Sequence, residues 1–567
     1  MAGEGTILVR EEPGAGNACV VGGAALEAVT ISDFLRTHAI RRPDHTAYIY
    51  LDGSVTWKEL DRRINALAAA FWRRGVRPGD VVAVCTSDGP VQIEVLYATA
   101  RIGAIRVGLN YRYAPTDVEK LVAHSGAKLI VVEDGLTHLT AGCAPDFGII
   151  TAGNGQGSRG DYEATLDFAA KAAWPRTMGS AIAQICYTTG STGNPKGAVW
   201  RHSAVVHAMG FTVLDLDFHE DDVYLHCLPA AGVPSVLATW NVTLGFTSVI
   251  MPRFQADLAL DLIQKHGCTR ALFIPTMLTA VCEEAEARPR DVSSMRKILY
   301  GSASTPPALV RRGNRVFDGV EFEQIYGSTE GAGGWFTKLS PSDHRQALEG
   351  HEALLTSCGK PMIHSSIRVV DQHGKPVEPG EVGEICVAGD FVMDGYHNEE
   401  ELTRLALRDG WLFTGDMGRI DESGYVYLVD RKQFMIITGG YNVYPIEVEN
   451  VVASHPSVLE VCVFGVPDHK WGEAIHVAVV PRNGCSILES DIRDWCRGRL
   501  AQFKVPKSVE VRDALIRGAT GKILKRAERD RRAGALTLRA NGAPSPGDMD
   551  RYENARNVSR RTRRRTK

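Results

Sequence analysis

A glycine-rich segment directly after a short apolar stretch carries the strongest chemical signal in this chain of 567 residues. Residues 187–199 read YTTGSTGNPKGAV and combine glycines, hydroxyl side chains and a lysine. Glycines let backbone amides approach an anion, hydroxyl groups donate further hydrogen bonds, and the lysine adds a point charge. We therefore predict a loop that binds a polyphosphate. Its predicted ligands are Thr188, Thr189, Gly190, Ser191, Thr192, Gly193 and Lys196.

Two other interpretations of this segment carry less weight. A Walker A loop needs a hydroxyl residue immediately after its lysine, whereas Gly197 follows Lys196 here. The remaining alternative is a surface loop without a ligand. The density of Thr, Ser, Gly and Lys directly after an apolar strand favours the phosphate site.

Four segments further along the chain pair glycine with polar or charged residues. They are QIYGSTE at 324–330, WLFTGD at 411–416, YLVDRKQFMIITGGYNVYPIEVE at 427–449 and GATGKILK at 518–525. Taken alone, a Thr-Glu or Gly-Asp pair is more often a helix cap or a turn. In this order, however, the segments resemble the motifs of the AMP-forming adenylating enzymes, which include acyl-CoA and aryl-CoA synthetases, peptide-synthetase adenylation domains and beetle luciferases. The resemblance extends over about residues 28–530.

The resemblance implies a nucleotide site built from these segments. Tyr326 would stack on adenine, and the backbone of Gly301–Ala303 would form a flat wall beside the base. Thr329 would donate to the α-phosphate, and Glu330 would hold Mg²⁺ against the ATP phosphates, because hard cations take oxygen ligands. Beyond the phosphate loop, the implied ATP and AMP contacts are Gly301, Ser302, Ala303, Tyr326, Gly327, Thr329, Asp416, Arg431 and Lys522.

Three of these residues would act on the ribose and the reacting groups. Asp416 would accept hydrogen bonds from both ribose hydroxyls, and Arg431 would donate to the ribose. Lys522 would be the catalytic lysine, bridging the attacking carboxylate and the α-phosphate oxygen, where negative charge develops. By charge pattern alone, Lys522 would be a solvated residue at the start of a basic helix. The implied catalytic set is Lys522, Thr329, Glu330 and Lys196.

The residues implied to contact the acid and coenzyme A are small. Ala231 and Gly232, with Gly301, would line the acyl pocket, and the family usually has an aromatic residue and a histidine in the first two places. Their small size indicates a roomy pocket for a bulky ring or branched acid. Gly439 and Gly440 would let the pantetheine arm pass close to the backbone. Gln433, where the family usually has Asp or Lys, would be the hinge.

Together these assignments imply an acid–CoA ligase that uses ATP, Mg²⁺ and coenzyme A. It would form an acyl-adenylate with release of pyrophosphate and then a thioester. Three alternatives stay open: transfer to a carrier-protein phosphopantetheine, luciferase-type oxygenation, and a non-catalytic nucleotide-binding role. His202, His207 and His226 lack the spacing of a metal site, and the sequence has no GxSxG segment of a serine hydrolase.

The elements that position these residues follow from the hydrophobic pattern. Apolar runs such as Val81–Thr86 alternate with helical periodicities such as Trp57–Arg74, which predicts an α/β fold. After about residue 363, short alternating strands are separated by Gly/Pro turns. We expect a large N-terminal region of two α/β sheet subdomains plus a β-rich subdomain, and a small mobile α+β C-terminal domain whose last predicted helix is Ser490–Leu500. The expected bounds are a flexible leader at 1–27, the N-terminal domain at 28–430, the hinge at 431–433, the C-terminal domain at 434–530 and a disordered basic tail at 534–567.

Composition excludes several classes of protein. Apolar residues make up 44% and charged residues 23% of the chain, as in soluble globular proteins. The whole chain has a net charge of −3 and residues 551–567 carry +7, so the other 550 residues sum to −10. This balance predicts no nucleic-acid partner, although the basic tail would make weak electrostatic contacts. No apolar run of transmembrane length and no signal peptide occur, and the 12 cysteines lack a CxxC pair, so we expect a cytoplasmic protein, either a monomer or a homodimer.

Overall fold

The computed structural model describes residues 29–51, 53–153, 161–169, 172–188, 196–431, 434–482, 484–518 and 523–540, apart from the side chains of Asn442 and of residues 534–540. In this part of the chain the strands form four sheets. Two large sheets and one smaller antiparallel sheet lie before residue 432, and the fourth sheet follows residue 435.

The first large sheet has seven strands and carries the phosphate segment. Its strands, in spatial order, are Gly395–Tyr396, Lys196–Arg201, Ile182–Thr188, Ile105–Gly108, Val81–Cys85, Ala127–Glu133 and Ile149–Ala152. The last five are mutually parallel. All five residues of Val81–Cys85 are buried, because helices cover both faces of a parallel sheet. Alternate residues of this strand accordingly belong to two different hydrophobic cores.

The second large sheet has nine strands and a parallel centre. In spatial order its strands are Lys360–Pro361, Thr337–Leu339, Glu321–Tyr326, Lys297–Gly301, Arg270–Phe273, Val223–His226, Thr247–Ile250, Thr46–Tyr50 and Gly53–Thr56. The strands at either end pair in antiparallel fashion. One contiguous core of apolar side chains joins this sheet to one face of the seven-stranded sheet.

The two remaining sheets are mainly antiparallel. For the smaller N-terminal one, the change of pattern after residue 363 predicts such a β-rich subdomain. The smaller N-terminal one contains Ser366–Val370, Gly383–Ala388, Trp411–Ile420, Leu407–Arg408 and Val426–Arg431. The C-terminal sheet contains Tyr441–Val443, Ile436–Thr438, Gly472–Pro481, Val458–Asp468 and Ser508–Val511, and only the last pairs in parallel with its neighbour among these described strands.

Helices connect the strands and cover the sheets. The described α-helices are Ile31–Arg41, Trp57–Arg73, Pro90–Ile102, Pro115–Ser125, Asp161–Thr165, His202–Asp215, Pro234–Leu237, Asn241–Leu244, Ala256–His266, Pro275–Ala287, Pro307–Val316, Pro341–Leu348, Glu400–Ala406, Pro445–Ala453, Glu489–Cys496 and Lys525–Ala540. Short 3₁₀ helices occupy Asp134–Thr140, Thr329–Gly331, Glu352–Thr356 and Gln502–Lys504. Within the described ranges, no helix is both long and apolar enough to cross a bilayer.

The mixed α/β architecture, with a large N-terminal part and a small C-terminal one, confirms the predicted fold class. One predicted bound is wrong. The helix expected at Ser490–Leu500 ends at Cys496, because Gly498 has a φ of 78° that a helix cannot continue through. The final helix is Lys525–Ala540. The predicted domain bounds and the disordered tail stay predictions.

Candidate active site

The two ends of the phosphate segment are fixed by a strand pair. Thr188 is the last residue of Ile182–Thr188, and it pairs in antiparallel register with Lys196, the first residue of Lys196–Arg201. The predicted ligands Thr189, Gly190, Ser191, Thr192 and Gly193 lie outside the described residues. Lys196 is therefore held at the carboxyl edge of the parallel strands, beside the last residue of Ile182–Thr188, a strand that is buried except at its two ends.

Glu330 is positioned by hydrogen bonds to the backbone of its short 3₁₀ helix, Thr329–Gly331. The Trp200 indole donates to the Thr329 carbonyl at 2.9 Å, and the Met393 amide donates to the Glu330 carbonyl at 2.8 Å. Both donors belong to segments remote in sequence. The turn that carries the predicted metal ligand is thus anchored to the strand that starts with Lys196.

Tyr396 connects the two predicted phosphate-site residues, and sequence reasoning missed it. Its hydroxyl donates to Glu330 Oε1 at 2.7 Å, and its ring centroid lies 5.4 Å from Lys196 Nζ. Burial, and then the charge of Glu330, raises the pKa of Tyr396 well above its usual range, so the phenol stays a donor. The only feature of the sequence that marks Tyr396 is its position after Gly395 in a turn-rich stretch, and many ordinary turns have the same feature.

The donor set around Glu330 fits Mg²⁺ rather than a cation that needs a full protein cage. Across the residues that the structure describes, no group of three or more His, Cys, Asp or Glu side chains could hold a metal ion. Mg²⁺ commonly binds through one or two carboxylates while keeping waters and substrate phosphates. Glu330, which is half-buried and keeps carboxylate lone pairs beyond the bond from Tyr396, matches that requirement.

Tyr326, Asp416 and Arg431 form a second contact group. The Tyr326 hydroxyl donates to Asp416 Oδ2 at 2.6 Å, and Arg431 Nε lies 2.5 Å from Asp416 Oδ1. Tyr326 and Asp416 are only 8% and 5% exposed. The carboxylate of Asp416 holds the pKa of Arg431 above its usual range. Because a carboxylate offers about four acceptor positions, ribose hydroxyls would add to these bonds rather than replace them.

A bulge places Asp416 where it can meet Tyr326. Cys386 pairs with Phe413, while Glu384, two residues earlier, pairs with Met417, so residues 414–416 bulge from the strand. Gly415 makes the bulge possible, with a φ of 72°, and its amide donates to Glu384 Oε1 at 3.1 Å. The Thr-Gly-Asp motif therefore has a conformational reason for its glycine.

The Gly301–Ala303 segment ends the strand Lys297–Gly301 beside Tyr326. A Cβ atom at Gly301 would lie 2.2 Å from the Ile325 carbonyl oxygen, so only glycine fits against the neighbouring strand. Ser302 has a φ of 66°, and Ser302 and Ala303 are exposed. The segment thus presents backbone at the carboxyl edge of the nine-stranded sheet. Gly327 is similarly tight, with a Cβ atom placed 3.0 Å from the Gly334 carbonyl oxygen.

Ala231 and Gly232 lie in a turn between the strand Val223–His226 and the helix Pro234–Leu237. Ala231 is buried and its backbone packs against Gly108 so closely that a Cβ atom there would meet its carbonyl oxygen at 1.8 Å. A Cβ atom at Gly232 would lie 3.7 Å from Cys186 Sγ, an ordinary contact. The turn is therefore fixed at Ala231 and leaves space at Gly232.

The remaining predicted site residues belong to the C-terminal part or lie outside the described chain. Gly439 and Gly440 form the exposed turn of the hairpin Ile436–Thr438 and Tyr441–Val443, with φ values of 58° and 82°. Two successive positive φ values suit a tight hairpin turn of glycines. Gln433 and Lys522 lie outside the described residues, so their roles stay predictions.

The histidines near the phosphate segment are structural. Burial lowers the pKa of His202 and of His226 to about 4, and both are fully buried. Both imidazoles are therefore neutral at physiological pH. His207 also has a pKa lowered by burial. The prediction that these three residues do not form a metal or base cluster stays a prediction.

Comparisons with known proteins give one consistent result. The pattern of the AMP-binding enzyme family matches residues 35–397, and that of the AMP-binding enzyme C-terminal domain matches residues 447–522. Together these matches span most of the chain and both predicted domains.

Individual relatives agree with this match over nearly their whole length. Feruloyl-CoA synthase of an Amycolatopsis species is 34% identical over 85% of this chain and 95% of its own. Fatty acid–[acyl-carrier-protein] ligase ScoC of Streptomyces coeruleorubidus is 34% identical over 89% of this chain and 96% of its own. The crystal structure of ATP-bound MatB from Rhodopseudomonas palustris superposes with a TM-score of 0.81 at 28% identity, covering 89% of this chain and 99% of that one.

Proposed function

Because this chain belongs to the AMP-binding enzyme family and is an AMP-forming acyl-CoA synthetase, we propose that it activates a bulky carboxylic acid to an acyl-adenylate and transfers the acyl group to free coenzyme A. The observation that carries the proposal is the convergence of Lys196 and Glu330 on Tyr396. Lys196 and Glu330, a cation and a carboxylate 134 residues apart in sequence, both contact Tyr396 at the edge where the phosphate segment begins and ends.

In the first step, the acid carboxylate attacks the α-phosphorus of ATP and pyrophosphate leaves. Lys196 would neutralise charge on the phosphates, and Thr329 would donate to the α-phosphate. Asp416 and Arg431 would orient the ribose, and Lys522 would stabilise charge between the two reacting groups. Positioning and electrostatic stabilisation account for most of the rate enhancement in such a displacement.

Bound Mg²⁺ would neutralise and orient the pyrophosphate leaving group. Glu330 is the side chain that would hold it, and the Tyr396 hydroxyl would keep that carboxylate in one orientation. This outer partner matters because the loss of a group that orients a metal ligand typically lowers metal affinity or activity by about 10–100-fold.

The acid is proposed to be bulky because the pocket wall lacks large side chains. Gly232 leaves space in front of Cys186, and Ala231 replaces an aromatic residue that the family usually has. The relative named feruloyl-CoA synthase forms a thioester of an aromatic acid, which is compatible with this size class.

In the second step, the thiol attacks the acyl-adenylate carbonyl and AMP leaves. The C-terminal domain would rotate about Gln433 to bring Gly439 and Gly440 beside the thioester path. A carrier-protein phosphopantetheine is the second candidate acceptor, because the similarly close relative ScoC is named as an acyl-carrier-protein ligase.

The test is a pyrophosphate-release screen against a panel of aromatic, branched and short-chain acids, run with and without CoA. We expect pyrophosphate release that depends on the acid, and a rate of AMP release that increases when CoA is added. Replacing CoA by a phosphopantetheinylated carrier protein separates the two acceptors. Absence of acid-dependent pyrophosphate release across the panel would contradict the proposal and leave a non-catalytic nucleotide-binding role.

A further inference from the structure

We propose that Arg106 is a positioning residue that fixes the acid-pocket wall at residues 230–232 and thereby sets selectivity among acids; this inference rests on the proposed function. Arg106 lies on the strand Ile105–Gly108 in the seven-stranded sheet and is 1% exposed. The wall instead follows Val223–His226 of the nine-stranded sheet. Arg106 therefore connects one sheet to the pocket turn that leaves the other.

The guanidinium contacts the wall directly. One terminal nitrogen, Nη2, donates to the Ala230 carbonyl at 2.9 Å and to Gln92 Oε1 at 2.5 Å. The other, Nη1, donates to Gln184 Oε1 at 3.1 Å, which also accepts from the Ser235 hydroxyl at 3.3 Å. Arg106 thus reaches both ends of the turn, at Ala230 directly and at Ser235 through Gln184.

The opposite side of the same residue is held by Asp88. The Ala230 amide donates to Asp88 Oδ1 at 2.6 Å. The amide and the carbonyl of Ala230 are therefore both bound by buried side chains that the seven-stranded sheet and its adjoining loop supply. Because Asp88 is 3% and Ala230 3% exposed, water cannot replace either bond without opening the interior.

Burying the charged side chain of Arg106 costs free energy, so its presence in the interior needs an explanation. Burial lowers the pKa of Arg106 to about 10, so the side chain stays charged at neutral pH. Among the residues that the structure describes, no carboxylate forms an ion pair with it within 4.0 Å. Its described hydrogen bonds go to the amide oxygens of Gln92 and Gln184 and to the Ala230 carbonyl, while the Asp88 carboxyl group acts on its charge from a longer distance. A buried charge held by amide and carbonyl oxygens is suited to fixing geometry, because its planar donors are fixed in direction.

The position of the wall depends on these hydrogen bonds because the wall contains no large side chain that could hold it by packing. Ala231 packs against Gly108, two residues after Arg106 on the same strand, with backbone-to-backbone contact. Gly232 follows, and a Cβ atom there would make only an ordinary contact, 3.7 Å from Cys186 Sγ. In a turn made of alanine and glycine, the hydrogen bonds of Ala230 define where the backbone lies, and with it the width of the pocket.

The experiment compares Arg106→Met and Arg106→Lys with wild type in two readouts. In steady-state assays on the acid panel, we expect Arg106→Met to raise KM for the best bulky acid about tenfold while KM for ATP changes less than twofold. The preference for bulky over short acids should fall, and Arg106→Lys should lie between Met and wild type. In hydrogen exchange of the intact protein, the peptide covering residues 227–235 should exchange about tenfold faster in both variants.

Arg101→Met and Arg101→Lys are the matched controls. Arg101 is also a buried arginine, at 6% exposure, but it contacts Ser32, Asn65 and Asp61, away from the wall. These variants should lower thermal stability. They should change neither the KM for the acid relative to the KM for ATP nor the hydrogen exchange of residues 227–235. Where Arg106→Met does not fold, Arg106→Lys carries both readouts.

The outcomes separate this inference from the proposed function. Equal changes in both KM values, or unchanged exchange at 227–235 in a folded Arg106 variant, would overturn the role of Arg106 alone. A wild-type protein that releases no pyrophosphate with any acid would overturn the proposed function and the selectivity role with it.

Discussion

The Tyr396 hydroxyl donates to the Glu330 carboxylate at 2.7 Å, although 66 residues separate them. The strand Gly395–Tyr396 pairs with Lys196–Arg201, and this pairing places the phenol at the edge of the sheet where Lys196 begins its strand. A tyrosine thus fixes the orientation of the one carboxylate proposed to hold Mg²⁺. Its ring also lies 5.4 Å from the lysine proposed to bind phosphate.

The first prediction concerns this bond. In Tyr396→Phe, Glu330 loses the donor that orients it, so kcat/KM for MgATP should fall about tenfold, the lower end of the effect of removing an outer partner of a metal ligand. The magnesium concentration for half-maximal rate should rise with it. Initial rates at MgATP concentrations below KM measure the first quantity, and titrations with Mg²⁺ at a fixed ATP concentration measure the second.

Tyr425→Phe is the control for that substitution. The Tyr425 hydroxyl donates to Asp343 Oδ1 at 2.7 Å, a bond of the same kind remote from Glu330. It should leave the magnesium dependence unchanged. Identical magnesium titrations for Tyr396→Phe and wild type would show that Glu330 does not need this partner.

The second prediction concerns pocket width. In Gly232→Phe, a ring would extend from a position whose Cβ lies 3.7 Å from Cys186 Sγ, and overpacking costs about 1–3 kcal/mol. The value of kcat/KM for the best bulky acid should fall about tenfold or more, and smaller acids should gain in rank. Gly135→Phe, at a glycine with no atom within 4 Å of its Cβ, is the control. An unchanged ranking of acids would contradict the assignment of Gly232 to the pocket.

The third prediction concerns Asp88 and pH. Burial raises the pKa of Asp88 to about 7, although Arg106, Arg112 and Arg253 act in the opposite direction. Folding therefore favours the protonated acid. The stability of wild type relative to Asp88→Asn should decrease as pH rises from about 4 to 7 and stay low above that, by about 2–4 kcal/mol in all.

Thermal unfolding of both proteins at pH 5 and pH 8 measures the difference. Taking it between the two proteins cancels the other titrating groups. A gap that is the same at both pH values would show that Asp88 is ionised throughout.

The fourth prediction concerns the C-terminal segment. The buried Glu528 anchors the last helix, accepting from the Ile516 amide at 2.7 Å and from Arg512 at 3.2 Å. A chain ending at Ala540 keeps this anchor and lacks the basic residues 551–567, so it should retain full kcat with a soluble acid. A chain ending at Leu524 loses the helix and should lose activity. A large decrease in kcat for the first truncation would place the tail in the catalytic unit.

Hydrophobic periodicity and the order of the motifs predict the fold class and most segments of the site. They do not predict individual contacts between side chains that are far apart in sequence. The strand Val81–Cys85 lies within one residue of the predicted Val81–Thr86, because an apolar run is a local feature of the sequence. Tyr396 and Arg106 act through contacts with residues 66 and 124 positions away, and nothing in their own neighbourhoods distinguishes them. The bond between Tyr326 and Asp416 likewise depends on a bulge at Gly415 that no local period reveals.

The last prediction concerns the two half-reactions and starts from the hairpin turn at Gly439 and Gly440. Gly440 has a φ of 82°, and a Cβ atom there would meet no atom within 4 Å. A side chain at this position would therefore extend into open space, where the proposed function places pantetheine. Lys522, in contrast, is proposed to act only where the carboxylate meets the α-phosphate. Because one domain cannot present both faces to one site at once, the proposed function requires it to rotate between steps.

Lys522→Ala should lower acyl-AMP formation by about 10²-fold or more, the scale of one lost electrostatic stabiliser, while thioester formation from supplied acyl-AMP stays nearly intact. Gly440→Leu should do the reverse, because its side chain would block the thiol path while adenylation proceeds. Gly498→Leu is the control for backbone strain, since Gly498 also has a positive φ of 78° and no neighbour within 4 Å of its Cβ, in the same domain. Single-turnover assays of each half-reaction measure the three variants. If folded Lys522→Ala and Gly440→Leu proteins lose both half-reactions equally, the C-terminal domain does not alternate between two faces in this enzyme.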